Sequence, residues 1–377
     1  MKVLILSVTA GFGHHATANA IEKMLRERGV AVNTVDVYKT VNRFLYDAID
    51  KGYLLASKYT PEIYRAVYTY LDQKDKMDDK YNITSLVNLL CALKFEKSIE
   101  RYSPDVIIFT HIFAGRIVNE LKSRATIRIP AIGVLTDYTF HPFWEDVPQV
   151  EYVVTANELL THQAERKQIA RARVLPLGIP IHPKFANMLS KEEARARLGL
   201  KEDRTTVLVM AGSMGYGNMS TIVDQIRSID RSFQIIAVCG NNKRQYKKLS
   251  EYKEEKGLTG LMVLGFADNV EVLMDAADCI VTKPGGLTVS EALAKKLPMI
   301  LVNPIPGQEE RNVEFLLNNG MAMMVTRTFP LDEAVYEMFT NPTRIRIMEE
   351  NIRVISKPNA TRDLCDFVMK LAQNEEA

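Results

Sequence analysis

The sequence is poor in residues that staple a chain or mark it for a membrane. Its 377 residues include four cysteines and one tryptophan. Cys91, Cys239, Cys279 and Cys365 lie far apart with no C-x-x-C spacing, and Cys239 and Cys279 fall in strand-like apolar runs. This excludes a disulfide framework and a zinc site, and suits a reduced cytosolic protein. No apolar run approaches the roughly 20 residues of a membrane-crossing helix. The start, MKVLILSVTAGFGHH, has one lysine and an apolar run broken by a glycine loop, so it reads as a first strand and not a signal peptide. Net charge is also small: 48 Lys and Arg against 46 Asp and Glu leave +2. No global field recruits nucleic acid, and any acidic partner must be met by a local patch. An Asp-x-Asp metal motif is missing as well, since Asp78 and Asp79 stand in a lysine-rich stretch that reads as surface.

What is present has the composition of an ordinary folded protein, 47% hydrophobic and 25% charged. The length exceeds what one hydrophobic core usually organises, so two domains are expected. Short Val- and Ile-rich runs alternate with helix-period stretches. VLILSV, VNTVDV, DVIIFT, AIGVLT, YVVTA and RVLPL come first, then TTVLVMAG, FQIIAVCG, LMVLGF, DCIVTK, PMILVN and MAMMV. Runs apolar on both faces predict parallel sheets covered by helices, an α/β chain with two Rossmann-like halves. The proline-rich stretch LPLGIPIHPKFANML, residues 175–189, separates them, because Pro and Gly stop both kinds of regular structure. Residues 40–100 hold no strand-like run. There Tyr46, Tyr53, Tyr59, Tyr64, Tyr68, Tyr70 and Tyr81 alternate with lysines and apolar residues. That pattern suits either a polar–apolar boundary at a membrane surface or a helical insertion packed on its own domain.

Three loops carry candidate chemistry. Gly11, Gly13 and Ala16 follow the first strand with G-x-G-x-x-G/A spacing, and Asp36 closes the second strand, a pattern that permits a nicotinamide enzyme. His14 and His15 inside that loop point elsewhere, since an imidazole accepts a proton near neutral pH. After DCIVTK, Pro284, Gly285 and Gly286 make a tight turn just before a helix, where free N–H groups attract phosphate. Thr288 and Glu291 are spaced as a capping box, with a ribose-binding carboxylate as the other reading of Glu291. Gln308 and Glu309 follow PMILVN, either as a solvated loop or as sugar-binding groups at a strand end. Gly212, Ser213, Gly215 and Gly217 form a second anion-cradle candidate, and CGNNK ends the next strand.

Taken together, TAGFGHHATANAI, LTDYTFHPFW, GIPIHPKF, MAGSMG, VCGNN, VLGF, DCIVTKPGGLTVSEALAKKLPMILVNPIPGQEERN and NIRVI resemble glycosyltransferase family 28, specifically its processive diacylglycerol glucosyltransferases and monogalactosyldiacylglycerol synthases. The matches span about residues 3 to 360 in the expected order. Phe12 stands where the plant-type galactosyl enzymes carry glycine, and His15 also departs from their pattern. The resemblance implies a GT-B fold, two Rossmann-like domains facing across a cleft. Residues 1–178 would form a lipid-acceptor domain and 179–354 a UDP-sugar-binding domain, with a C-terminal helix at about 355–377 packing back on the first. It implies an inverting, metal-independent transfer of glucose or galactose from UDP-sugar to diacylglycerol or glycosyl-diacylglycerol, with no cofactor. The partners would be the two substrates and an anionic membrane surface on the cytoplasmic side of the cell membrane, with no nucleic acid.

By motif position, Gly212, Ser213, Lys283, Pro284, Gly285, Gly286 and Thr288 would line the diphosphate. Gly240 and Phe266 would flank the uracil, Glu291 would hold the ribose, and Gln308 with Glu309 the hexose. On the acceptor side, His14 would be the base or the close partner of Asp137, while Gly11, Gly13, His141 and Trp144 would meet the lipid headgroup. His15 would be structural or lipid-facing, and a buried packing role is the alternative for Trp144. The competing functions are a family-28 transferase with a polyisoprenyl-diphosphate acceptor, an NAD-dependent oxidoreductase and a non-catalytic UDP-sugar sensor.

Overall fold

A computed structural model describes residues 1–8, 12–37, 39, 95–141, 143–210, 218–229 and 232–374. The tyrosine-rich stretch, from residue 40 to residue 94, lies outside them. The chain divides into two compact units. One comprises Met1–Pro183, Ile305–Gln308 and Asn359–Ala377, the other Lys184–Pro304 and Glu309–Pro358.

The first unit is built on a six-stranded sheet, all pairs parallel, in the order β2-β1-β3-β4-β5-β6. Its strands are β1 (Lys2–Ser7), β2 (Ala31–Asp36), β3 (Val106–Phe109), β4 (Ala131–Val134), β5 (Tyr152–Val154) and β6 (Val174–Leu175). Every residue of β3 and β4 is buried, as expected of strands covered on both faces. Helices α1 (Phe12–Glu27), α2 (Ile112–Ser123) and α3 (Thr161–Arg166) belong to this unit. Phe109 fills the space beside Gly115 and Gly133. A Cβ at either glycine would sit within 2.7 Å of its ring, so only glycine admits this packing.

The second unit repeats the plan with β7 (Thr206–Met210), β8 (Gln234–Val238), β9 (Leu261–Leu264), β10 (Cys279–Thr282), β11 (Met299–Leu301) and β12 (Ala322–Met324). The strand order is β12-β11-β10-β7-β8-β9, again wholly parallel. Its helices are α4 (Lys191–Leu198), α5 (Met219–Arg227), α6 (Lys243–Glu255), α7 (Val270–Ala276), α8 (Gly286–Ala294), α9 (Gln308–Asn318), α10 (Leu331–Thr340) and α11 (Pro342–Ile355). Ser190 and Glu193 close a capping box on α4, and Gly199 ends it in the left-handed region. Before α4, the chain is pinned by a buried ion pair: Lys295 Nζ lies 2.7 Å from Asp275 Oδ2 and also donates to the Asn187 carbonyl, while the Leu189 amide donates to the same carboxylate.

Helix α12 (Ala360–Asn374) returns to the first unit. Leu364, Cys365 and Val368 share one core with Ile21 and Leu25 of α1, and Arg28 pairs with Asp366.

In each sheet the first strand of the unit has neighbours on both sides, and the chain reverses its winding there. Open α/β sheets bind ligands beyond the carboxyl ends of the strands at such a reversal. The positions are β1 and β3 in one unit and β7 and β10 in the other.

Candidate active site

At the β1/β3 reversal, three histidines and an aspartate come together. Helix α1 begins at Phe12 and not at Ala16, so His14 and His15 both lie in its first turn. His14 Nδ1 is 2.7 Å from the Thr110 carbonyl and 3.1 Å from Thr136 Oγ1. A carbonyl only accepts, so Nδ1 carries the hydrogen and Nε2 presents its lone pair. Burial pulls the His14 pKa down, and the Asp137 carboxylate and the Thr110 bond oppose that pull. His14 is therefore a neutral imidazole at neutral pH, with Nε2 ready to take a proton.

Asp137 follows β4 and is buried; His141 Nε2 donates to its Oδ2 at 2.8 Å. The aspartate acts on His14 through its field and is directly engaged by His141. His111, just beyond β3, was not indicated by any motif. Its ring meets that of His14 edge to face, with centroids 4.7 Å apart. As the N-cap of α2, His111 accepts the Phe113 amide on Nδ1, so its hydrogen sits on Nε2. Protonation would set two donors against each other. Burial first, then His14 and His141, drive its pKa well below the ordinary value. The signal available in the sequence was position alone, a histidine directly after a buried strand.

His15 turns away from this cluster and bonds Asp36, at 3.1 Å from its Oδ2. Asp36 closes β2, beside Ser7 at the end of β1. Gly13 has open space where a Cβ would stand. Trp144 corrects the sequence expectation. It is 2% exposed, stacked on Phe109 and edge-on to Phe140, and so packs the core and offers no platform to a headgroup. Gly11 lies outside the described residues.

At the β7/β10 reversal, the residues after β10 form the other site. Gly285 is the N-cap of α8 and Gly286 its first residue. The free amides of the first turn and the positive end of the helix lie here. Thr288 is then the third helical residue and glycine occupies the cap, so the capping-box alternative for Thr288 and Glu291 falls away. Helix α9 supports the turn. Asn312, fully buried, donates from Nδ2 to the Pro284 carbonyl at 2.9 Å, and a Cβ at Gly285 would lie 3.5 Å from Glu309 Oε1. Lys283 is next to that carboxylate; burial lowers its pKa and Glu309 raises it. Gln308 opens α9. Asn312 ends the PGQEERN motif, and its bond to Pro284 gives it a structural role.

Glu291 lies further along α8. Burial pushes its carboxyl up to about 8, with Lys184 lowering it and Glu271 raising it. Gly240 and Phe266 follow adjacent strands β8 and β9. Gly240 takes a left-handed conformation and donates to the Gly265 carbonyl, and Phe266 is 74% exposed. Gly212 and Ser213 lie outside the described residues.

Two parallel Rossmann-like units, one with a neutral imidazole at its switch point and the other with a phosphate-type turn at its own, define the GT-B class of glycosyltransferase. MurG of Acinetobacter baumannii shares the fold, with a TM-score of 0.65 at 16% identity over 98% of this chain and 99% of that one. The family model for monogalactosyldiacylglycerol synthase matches residues 14–181, and that for the glycosyltransferase family 28 C-terminal domain matches residues 206–363. The chain belongs to glycosyltransferase family 28. Among its relatives, a protein of Bacillus subtilis strain 168 named processive diacylglycerol beta-glucosyltransferase is 28% identical over 98% of this chain and 95% of that protein. One of the same name from Bacillus pumilus is 26% identical over 98% and 94%.

Proposed function

We propose that this glycosyltransferase moves a hexose, glucose on the strength of its relatives' names, from a UDP-sugar to diacylglycerol or glycosyl-diacylglycerol. The carrying observation is the fixed tautomer of His14 in a chain related along its whole length to diacylglycerol glucosyltransferases. The acceptor hydroxyl gives its proton to His14 Nε2 as its oxygen attacks the anomeric carbon. The bond from that carbon to the UDP oxygen breaks, and direct displacement inverts the centre. Asp137 steadies the imidazolium that results. The leaving diphosphate is received by the amides at Gly285 and Gly286, the positive end of α8 and Lys283, in the place a metal ion would take. Glu291 holds the ribose, Phe266 and Gly240 flank the base, and Gln308 with Glu309 holds the hexose. The acceptor is a membrane lipid, so the enzyme works from an anionic membrane surface on the cytoplasmic side. Among the described residues no helix is long and apolar enough to cross a membrane.

The test is incubation of the purified protein with UDP-glucose and UDP-galactose in turn, with diacylglycerol in mixed micelles. Glycolipid and UDP should form together, faster from UDP-glucose. No turnover from either donor, or transfer only to a polyisoprenyl-diphosphate acceptor, would refute the proposal. Flotation with vesicles that contain or lack anionic lipid checks the membrane surface.

A further inference from the structure

The two imidazoles in contact at the β1/β3 reversal carry their hydrogens on opposite nitrogens. His14 gives its Nδ1 hydrogen to the Thr110 carbonyl at 2.7 Å and is left with a lone pair on Nε2. His111 accepts the Phe113 amide on Nδ1 at 3.1 Å and is left with a hydrogen on Nε2. Both anchors belong to one short stretch, residues 110–113, which runs from the end of β3 into the first turn of α2. That stretch is tied to β1 as well, because Thr110 Oγ1 donates to Ser7 Oγ at 3.1 Å. Neither ring can exchange its nitrogens without breaking a bond to the main chain.

Each Nε2 is without a hydrogen-bond partner among the described residues, and both rings are only partly buried. The rings meet edge to face with centroids 4.7 Å apart, which lets a single oxygen lie within hydrogen-bond reach of a nitrogen on each. An unmet acceptor beside an unmet donor matches a hydroxyl, which can donate and accept at once. A carboxylate has nothing to give the His14 lone pair, and an ammonium has nothing to receive the His111 hydrogen. Burial first, then His14 and His141, keep the His111 pKa well below the ordinary value, so its ring stays neutral.

We propose that His111 is a second catalytic residue, which donates from Nε2 to the acceptor hydroxyl oxygen while His14 Nε2 takes the proton of that hydroxyl. The inference rests on the reading of His14 as the base. The hydroxyl hydrogen passes to His14, and one oxygen lone pair accepts from His111. The other lone pair forms the bond to the anomeric carbon as the bond from that carbon to the UDP oxygen breaks. His111 keeps its own hydrogen throughout and contributes by orienting the nucleophile.

The experiment compares three variants of the full-length protein in transfer from UDP-glucose to diacylglycerol in mixed micelles. His111→Asn keeps a cap acceptor for the Phe113 amide and loses the donor at Nε2. His111→Gln, whose longer side chain carries an N–H to about the position of Nε2, keeps the donor and loses the cap; His111→Phe loses both. The kcat/KM for diacylglycerol should fall about tenfold in His111→Asn and His111→Phe, the scale of one neutral hydrogen bond, and His111→Gln should keep most of it. Thermal unfolding should rank them differently, with His111→Asn the most stable of the three. UDP affinity, read by calorimetry, should match wild type in all. A purely structural role would make transfer follow stability. Wild-type transfer in His111→Asn, or equal losses in His111→Gln and His111→Phe, overturns the proposal. Failure of the underlying reading looks different: His14→Ala would then keep its turnover.

Discussion

The two switch points occupy the same place in two similar sheets, yet they are furnished in opposite ways. Beyond β1 and β3 the chemistry is in side chains: His14, His111 and His141 with one carboxylate, all partly or wholly buried. Beyond β10 it is in the backbone, where a Pro-Gly-Gly turn exposes amides and Lys283, Glu309 and Asn312 close around it. A proton acceptor needs a group whose pKa lies near working pH, and only a side chain supplies it. A diphosphate needs many donors and a fixed field, which a helix terminus already has. In the proposed function one topology serves two tasks, and the residue types after the strands decide which.

The largest expected effect separates the two sites cleanly. His14→Ala should cut turnover by about 10²- to 10⁴-fold, the range for loss of a general base. UDP affinity should be unchanged, as measured by calorimetry; a matching loss of UDP binding would mean that the donor is held at the histidine cluster. Next, Trp144→Ala should cost about 3–5 kcal/mol of stability, as expected for a buried aromatic. Denaturant unfolding measures this, and a stable variant with a raised KM for lipid would restore the platform role. Glu291→Ala, on the other side, should weaken UDP by about 1.5–3 kcal/mol, the scale of hydrogen bonds to a charged group. Its turnover at saturating donor should fall much less.

The smallest effect is a difference in pH response. His14 and His111 have lowered pKa values in the fold, so the unfolded chain binds more protons as pH falls below about 6.5, and the stability they confer is lost there. Glu291 has a raised value, about 8, so the stability tied to its neutral form is lost as pH rises through that point. His14→Ala should therefore flatten the acid side of the stability curve and Glu291→Gln the alkaline side. The reverse assignment, seen by thermal unfolding from about pH 5 to pH 9, would break the comparison. Turnover should rise with pH to a plateau before about 6.5, because the base must be neutral and its pKa is depressed.

The twelve strands were legible because parallel strands, buried on both faces, leave unbroken Val and Ile runs. Details that depend on where a helix starts were harder to read. The start of α1 at Phe12 and the cap at Gly285 are set by loop geometry, and the Thr288–Glu291 spacing imitates a capping box without being at a helix start. Trp144 misled because aromatic content says nothing about which face is buried; the glycines at 115 and 133, which make room around Phe109, were the compensating signal. His111 and Asn312 escaped notice because each acts through a contact made by tertiary structure, one with His14 and one with Pro284.

Helix α12 adds a constraint of connectivity. It supplies Leu364, Cys365 and Val368 to a core whose other members include Val3 and Ile5. The core of the first unit is therefore discontinuous in sequence: it is complete only when α12, which follows the second unit in the chain, has packed against α1. The histidine cluster belongs to that discontinuous unit, so its setting depends on a helix that lies beyond the unit holding the Pro-Gly-Gly turn.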